Sequence, residues 1–289
     1  MDNRMRTPNN AAPAVRFTWN THWGCNYRCS YCFFSGRWEE YAPRNVYKPA
    51  DFWVERWQAM AEKYGRCYIV INGGEPFTYP GFSEIVLRIS QVHWPINITT
   101  NASVGLDEFT EKADPAKISV SLSFHPEYHD IEKFIASMSR LREKGFSGCN
   151  NIVAYPPFMP RLAAQLKRFE DAGHQVKINP YIGDYQGRNY PASFSPEEKA
   201  LMGMGEDWGE RKKRKARDCA AGCSSALILP DGGVTRCGQA GDGGIFGNFF
   251  DPNFSLLAAP SPCGEEFCPC DEWKTLPDAS PEGKSSYIS

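Results

Sequence analysis

Cys25, Cys29 and Cys32 place three thiols within eight residues, in the segment Trp-Gly-Cys-Asn-Tyr-Arg-Cys-Ser-Tyr-Cys-Phe. Three thiolates that close can wrap one metal centre. A structural zinc site usually takes four ligands, commonly from two Cys-x2-Cys pairs. No fourth Cys or His stands nearby in that pattern. A four-iron cubane held by three cysteines keeps one iron open, and an open iron can chelate an amine and a carboxylate. Zinc, or a chance grouping, is the competing reading.

Other residues add to this. Gly73-Gly74-Glu75-Pro76 closes an apolar run; glycines there let backbone approach a ligand, and Glu75 offers an acceptor. Six more cysteines follow late in the chain: Cys219, Cys223, Cys237, Cys263, Cys268 and Cys270. Asp231-Gly232 after a second apolar run is a hairpin signal, and a hairpin there would bring Cys219 and Cys237 together. Eleven cysteines without an export signal read as free thiols in a reducing compartment.

The elements that must position these groups alternate. Strand candidates are residues 15–20, 67–72, 96–100, 118–124, 151–155 and 176–181. Helix candidates between them are residues 51–64, 82–91, 106–113, 131–144 and 161–172, with Gly65, Gly145 and Gly173 where helices should end. Strand–helix alternation implies a parallel sheet with right-handed crossovers. Six strands are too few for a closed eightfold barrel, so an open partial (β/α)6 barrel is expected, its site at the C-terminal strand ends. Residues 118–124 read ISVSLSF, so Ser119, Ser121 and Ser123 share one face. Helices must cover the apolar face, which turns the serines toward a polar lumen. Cys67 opens the second strand and Cys149 precedes the fifth, so both are expected to be buried at the barrel bottom. Residues 1–14 read as a flexible tail, 15–190 as the barrel, and 191–218 as a polar linker with a helix near 196–204. Residues 219–289 read as a small cysteine-rich module in need of a metal staple.

Cys25-x3-Cys29-x2-Cys32, with an aromatic residue before the last Cys and a position after the first strand, resembles the signature of the radical S-adenosylmethionine (SAM) superfamily. The resemblance covers residues 15–182. It implies a [4Fe–4S] cluster on those three cysteines, SAM on the open iron, and reductive cleavage of SAM to a 5′-deoxyadenosyl radical that takes a hydrogen atom from substrate. By resemblance, Tyr31 lies near the adenine. Gly73, Gly74, Glu75 and Pro76 correspond to the motif that binds the SAM amino group. Asn101, Ser121 and Ser123 correspond to ribose or carboxylate contacts. Twelve residues separate Cys219 from Gly232, and four separate Gly232 from Cys237. That spacing is similar to the SPASM/Twitch auxiliary-cluster modules of the superfamily. It implies an auxiliary [4Fe–4S] cluster on Cys219 and Cys237, with Cys268 and Cys270 next in line and Cys263 and Cys223 as further candidates. The full SPASM downstream pattern is absent, which favours one auxiliary cluster over two.

An auxiliary cluster that takes an electron from a substrate radical implies net oxidation, as in dehydrogenase members of the family. His125, at the end of the fourth strand, is a candidate base, with a helix cap or a polar rim residue as the plainer reading. Tyr155, Lys177, Asn179, Tyr181, Asp184 and Tyr185 are candidate substrate contacts. The run from Arg211 to Arg217 holds six basic residues in seven. It reads as a solvated face, or as a contact for an anionic substrate, a leader peptide or an acidic electron donor of the flavodoxin or ferredoxin type. A formal net charge of -2 gives no general attraction to nucleic acid or membrane. No apolar run is long enough to span a bilayer, and the first fifteen residues lack a signal-peptide core, so a cytoplasmic location is expected. The functions weighed are an oxidising enzyme for a small polar, sugar-like substrate, a maturase of a ribosomal peptide, and an epimerase. The short segment before the first strand leaves little room for a peptide-recognition domain.

Overall fold

A computed structural model describes residues 12–33, 37–205, 212–213, 218–238, 244–263 and 267–268. The elements run β1 (Arg16–Asn20), α1 (Trp38–Tyr41), α2 (Ala50–Tyr64), β2 (Tyr68–Asn72), α3 (Phe82–Ile89), β3 (Ile96–Thr100), α4 (Asp107–Lys112) and β4 (Ile118–Phe124). They continue with α5 (Ile131–Glu143), β5 (Asn151–Ala154), α6 (Met159–Asp171), β6 (Lys177–Pro180), β7 (Gly183–Tyr185), β8 (Arg188–Tyr190) and α7 (Pro196–Leu201). Short strands complete the chain: β9 (Lys212–Lys213), β10 (Asp218–Cys219), β11 (Ser225–Ile228), β12 (Gly233–Thr235), β13 (Ile245–Asn248), β14 (Ser261–Pro262) and β15 (Phe267–Cys268).

One nine-stranded sheet carries the fold, in the order β13-β12-β11-β1-β2-β3-β4-β5-β6. The strands from β11 through β1 to β6 are parallel, each β1–β6 step crossing over through a helix. This is the expected α/β partial barrel, open between β6 and β13 among the described strands. Register explains the layering. Ile228, Trp19, Ile71, Ile98 and Val120 lie side by side across five strands and are all buried under the helices. The residues one step along point the other way. Thr18, Asn20, Asn72, Asn97, Ser119, Ser121 and Ser123 make the inner face polar, as the alternation in β4 indicates.

The helices start and stop where their sequence says. Asp130 caps α5 by accepting from Lys133 N at 3.0 Å. Gly65 ends α2 at φ 71°, a conformation that L side chains adopt only with strain. Among the described residues, no helix is long and apolar enough to cross a membrane.

Three features differ from expectation. The cysteine-rich segment does not stand apart. β11 pairs in parallel with β1, and β12 and β13 extend the same sheet. Phe249 packs on Trp57 at 4.8 Å between ring centroids and on Trp53 at 6.1 Å. Lys63 Nζ donates to Phe254 O at 2.8 Å, and Leu256 N donates to the Tyr64 hydroxyl at 2.8 Å. The segment therefore borrows the barrel's core instead of needing its own. Second, β7 and β8 form a separate hairpin at the end of the stretch read as barrel, turning on Gln186 and Gly187 at φ 49° and 73°. Third, Cys149 is exposed, whereas Cys67 is fully buried as expected. Cys149 lies two residues before β5, in the connection that follows α5.

His93 shows how closed this core is. Its Nδ1 accepts from Cys67 N at 3.0 Å, so Nε2 carries the proton and donates to Trp57 O at 2.8 Å. Burial pushes its pKa below the ordinary value. Below about pH 6.5 the unfolded chain takes up a proton that folded His93 resists, so its contribution is complete above that pH and is lost as pH falls. Between pH 7.5 and 5.5 the thermal midpoint should fall less in His93→Gln than in the parent, since an amide keeps both bonds and does not titrate. Phe249→Ala should cost about 3–5 kcal/mol in chemical denaturation, a loss that an independent appendage would not transmit to the barrel.

Candidate active site

The first cysteines sit on the loop that leaves the C-terminal end of β1. Thr21 N donates to Asn72 O at 3.0 Å and continues the β1–β2 pairing past the strand ends. Gly74 N then donates to His22 O at 2.7 Å, and Glu75 N to Gly24 O at 2.9 Å. The two loops are thus laced backbone to backbone. A Cβ on Gly74 would lie 1.8 Å from Gly24 O, and one on Gly73, itself at φ +148°, would lie 2.6 Å from His22 O. These glycines serve the approach of the two loops as much as the approach of a ligand.

Glu75 is 1% exposed and does not line the cavity. Its carboxylate accepts from Phe77 N at 3.0 Å, Thr100 Oγ1 at 2.7 Å and Asn101 N at 2.7 Å. Burial raises its pKa while these bonds pull it down. The carboxylate ties the ends of β2 and β3 together. Pro76 begins the buried turn that follows.

The outer side of the cysteine loop is held by residues 125–129, after β4. Glu127 accepts from Ser30 N at 3.0 Å and from the Ser30 hydroxyl. The Tyr128 hydroxyl accepts from Arg28 N at 2.8 Å, and its ring stacks on Tyr27 at 4.1 Å. His129 Nδ1 accepts from His125 N at 2.9 Å, leaving Nε2–H to donate to the Tyr27 hydroxyl at 3.3 Å. The sequence reading singled out only His125 in this stretch. The missed signal was its density of groups that bond backbone and rings, in His-Pro-Glu-Tyr-His.

Between these supports lies a cavity of about 240 Å³. Cys25, Cys29 and Cys32 all line it, together with Tyr31, Gly73, Gly74, Asn101, Ser123 and His125. Ser121 lies deeper in the lumen, accepting from Asn97 Nδ2 and Cys149 N, each at 3.0 Å. Asn101 Nδ2 and Tyr27 N point at Cys25 Sγ, at 3.7 and 3.4 Å. The Tyr31 hydroxyl donates to His125 Nδ1 at 3.0 Å, and Cys29 Sγ lies 3.4 Å from the same nitrogen. Burial pushes His125 down to about 4, with His129 adding to the shift. It is a neutral imidazole with one nitrogen engaged, and so low a pKa weakens it as a base at neutral pH.

Burial pushes the Cys29 thiol up to about 12, and Glu127's charge adds to it. Cys25 is raised by the same desolvation. Thiols in this state hold their protons until a bound cation displaces them. Among the described residues, no three Cys, His, Asp or Glu side chains converge as ligands of a single ion. A multi-iron cluster offers each thiolate its own corner and does not require such convergence. Three thiols around one cavity, with N–H donors aimed at the sulfur of Cys25, fit a [4Fe–4S] cluster.

A second cavity of about 290 Å³ opens along the inner face of β1 and β11. Arg16, Thr18, Asn20, Ser225 and Cys237 line it, and Asn72 lines both cavities. The hairpin read from Asp231-Gly232 is present as β11–β12. Arg236, beside Cys237, donates to Cys219 O at 3.2 Å, which ties the two cysteine segments. Cys263 follows β14 and Cys223 lies in the turn before β11; both are half-buried and free. Cys268 lies in β15 opposite Lys212 of the basic run. Cys270 and residues 211 and 214–217 of that run lie outside the described residues. Thiols on tied segments fit a second thiolate-held cluster.

Residues 19–161 match the family model described as the Radical SAM superfamily. The chain carries a radical SAM domain. Among curated relatives it is 30% identical over 132 residues to a probable GTP 3',8-cyclase of Thermococcus kodakarensis, across 45% of this chain and 41% of that one. It is 27% identical over 99 residues to an S-adenosylmethionine-dependent nucleotide dehydratase of a Thermoplasmatales archaeon, across 34% of this chain and 33% of that one. The matches thus span well under half of either relative's length. Among solved structures, Streptococcus suis SuiB bound to S-adenosylmethionine superposes at a TM-score of 0.58 and 15% identity, covering 82% of this chain and 63% of SuiB. That likeness is one of fold. The radical SAM family binds a [4Fe–4S] cluster and SAM, in agreement with the cysteine cavity.

Gly74→Ala tests the laced loops. It should destabilise the radical SAM domain by about 3 kcal/mol or more, seen in chemical denaturation, and should lower iron uptake on anaerobic reconstitution.

Proposed function

We propose that the chain is a radical SAM enzyme that oxidises a small polar substrate, with two [4Fe–4S] clusters. Cys25, Cys29 and Cys32 hold the SAM-binding cluster. The Gly73–Gly74 backbone, Tyr31, Asn101 and Ser123 orient the cofactor, and Glu75 fixes the loop from behind. Cysteines of the C-terminal segment, Cys219 and Cys237 first among them, hold the auxiliary cluster. When bound, the first cluster and SAM supply one-electron chemistry that activates an inert C–H bond. The protein holds substrate near that point and limits water. The C-terminal cysteines would hold a group able to accept the surplus electron of a net oxidation, and an external donor of the flavodoxin or ferredoxin type would supply the first electron.

One observation carries this reading. The cavity lined by the three cysteines shares Asn72 with a polar cavity lined by Cys237. A substrate spanning them would meet hydroxyl, amide and guanidinium groups, which suits a sugar-like or nucleotide-like molecule. The names of the two curated relatives, both acting on nucleotides, point the same way. A peptide maturase is the second reading, favoured by the shared fold with SuiB, which has also been solved with its precursor peptide SuiA. Epimerisation needs a thiol donor near the radical. Cys67 is buried and Cys149 lies below β5, so only an unligated C-terminal cysteine would serve.

Anaerobic reconstitution tests the proposal. The chain should bind about eight irons, as two four-iron clusters, and release 5′-deoxyadenosine with a strong reductant. Cys25→Ala should abolish that release. Cys219→Ala with Cys237→Ala should lower iron to about four per chain and leave SAM cleavage measurable. A chain that takes up zinc at the first site, or never releases 5′-deoxyadenosine, contradicts it.

A further inference from the structure

Arg236 follows β12 and immediately precedes Cys237. Its Nε donates to Ala221 O at 2.8 Å and its Nη1 to Pro262 O at 2.7 Å. Its Nη2 donates to Ser261 O at 2.7 Å and to Cys219 O at 3.2 Å. Four carbonyls from two segments distant in sequence converge on one guanidinium. Only arginine has the planar fork of donors to satisfy them together. These four bonds all go to neutral carbonyls, whose dipoles solvate the cation without cancelling its charge.

The carbonyls belong to segments that bear cysteines. β10 and β14 pair antiparallel, with Cys219 opposite Ser261. Cys263 lies two residues beyond Ser261, so the alternation of strand faces returns it to the side shared by Cys219. Diagonal neighbours on such a ribbon have β-carbons roughly 7–8 Å apart. Cys237 is peptide-bonded to Arg236 itself. Three thiols thus come from three segments fastened to one side chain, and a thiolate-held cluster there would place its negative charge beside a guanidinium.

We propose that Arg236 is the positioning residue of the auxiliary cluster, with Cys219, Cys237 and Cys263 as three of its ligands. The inference rests on the reading that this segment holds such a cluster. It moves Cys263 ahead of Cys268 and Cys270. Arg236 acts through the carbonyls it gathers: without it, β10 and β14 lose their tie to the β12 end and the three thiols separate.

The test compares the full-length parent with Arg236→Gln, Arg236→Lys and Cys263→Ser after anaerobic reconstitution. Iron per chain, the EPR spectrum of the reduced protein and the far-UV circular dichroism are measured. The parent should hold about eight irons and each variant about four. The EPR change on adding SAM should persist in every variant, reporting an intact first cluster. Lysine should not rescue, because one ammonium cannot bridge both segments. If Arg236→Gln fails to fold, Cys263→Ser, which leaves every Arg236 bond in place, decides the ligand assignment. Eight irons retained in Arg236→Gln, Arg236→Lys or Cys263→Ser overturns the inference while leaving the auxiliary cluster intact. Only about four irons in the parent removes the cluster itself, and the inference with it.

Discussion

Where the loops after β1 and β2 meet, two backbones pass so closely that no side chain fits between them. Gly73 and Gly74 stand at that crossing, where Gly74 N and Glu75 N donate to the carbonyls of His22 and Gly24. Every feature of the first site follows from this contact. The cysteine loop begins at Gly24, so its height above the sheet is set by these two hydrogen bonds. Glu75, just beyond the glycines, turns inward and fastens the end of β3. The face of the loop opposite the glycines is gripped by residues 125–129 from the end of β4. Three strand ends thereby hold one loop, and the thiols are presented by a frame instead of a free segment.

The thiols pay for that frame in desolvation. Cys29 is nine-tenths shielded from water in its surroundings of Tyr31, Tyr155 and His125 (6% exposed), and its pKa rises accordingly. A site of neutral thiols and a neutral imidazole holds little charge until a cationic group arrives. The same burial that disfavours thiolate alone favours it once iron is present, because the low local dielectric strengthens the attraction.

The outer layer of the fold joins β1 and α2 to the segment that follows β13. Trp19 from β1, Trp53 and Trp57 from α2, and Phe249 from beyond β13 form one aromatic group, with Trp19 and Trp53 centroids 4.5 Å apart. Their burial brings β11 to β1, and β11 carries the second cysteine group to the open side of the lumen. The cavity that Asn72 shares with Cys237 is a consequence of that packing. Arg236 then organises locally what the aromatic layer brought near.

Much of this was legible in the residues. The strands and helices of the barrel follow from alternation and helical periodicity, and the ISVSLSF strand announced a polar inner face. The cysteine spacing and the Gly-Gly-Glu-Pro segment marked the first site, because ligand spacing on one loop is a local property. The hairpin at β7–β8 was not legible, since Gln-Gly is a weaker turn signal than Asn-Gly. Equally hidden were the inward turn of Glu75, the grip of Glu127 and Tyr128 on the cysteine loop, the exposure of Cys149, and the joining of β11 to β1. Each depends on which surfaces meet across long stretches of chain, and periodicity reports only which face of an element is apolar. What the amino-acid order alone determined was the set of elements and the loop able to hold a cluster. Tertiary packing decided which groups face the cavity and which merely hold it in place, because burial and hydrogen-bond partners exist only once distant segments are in contact.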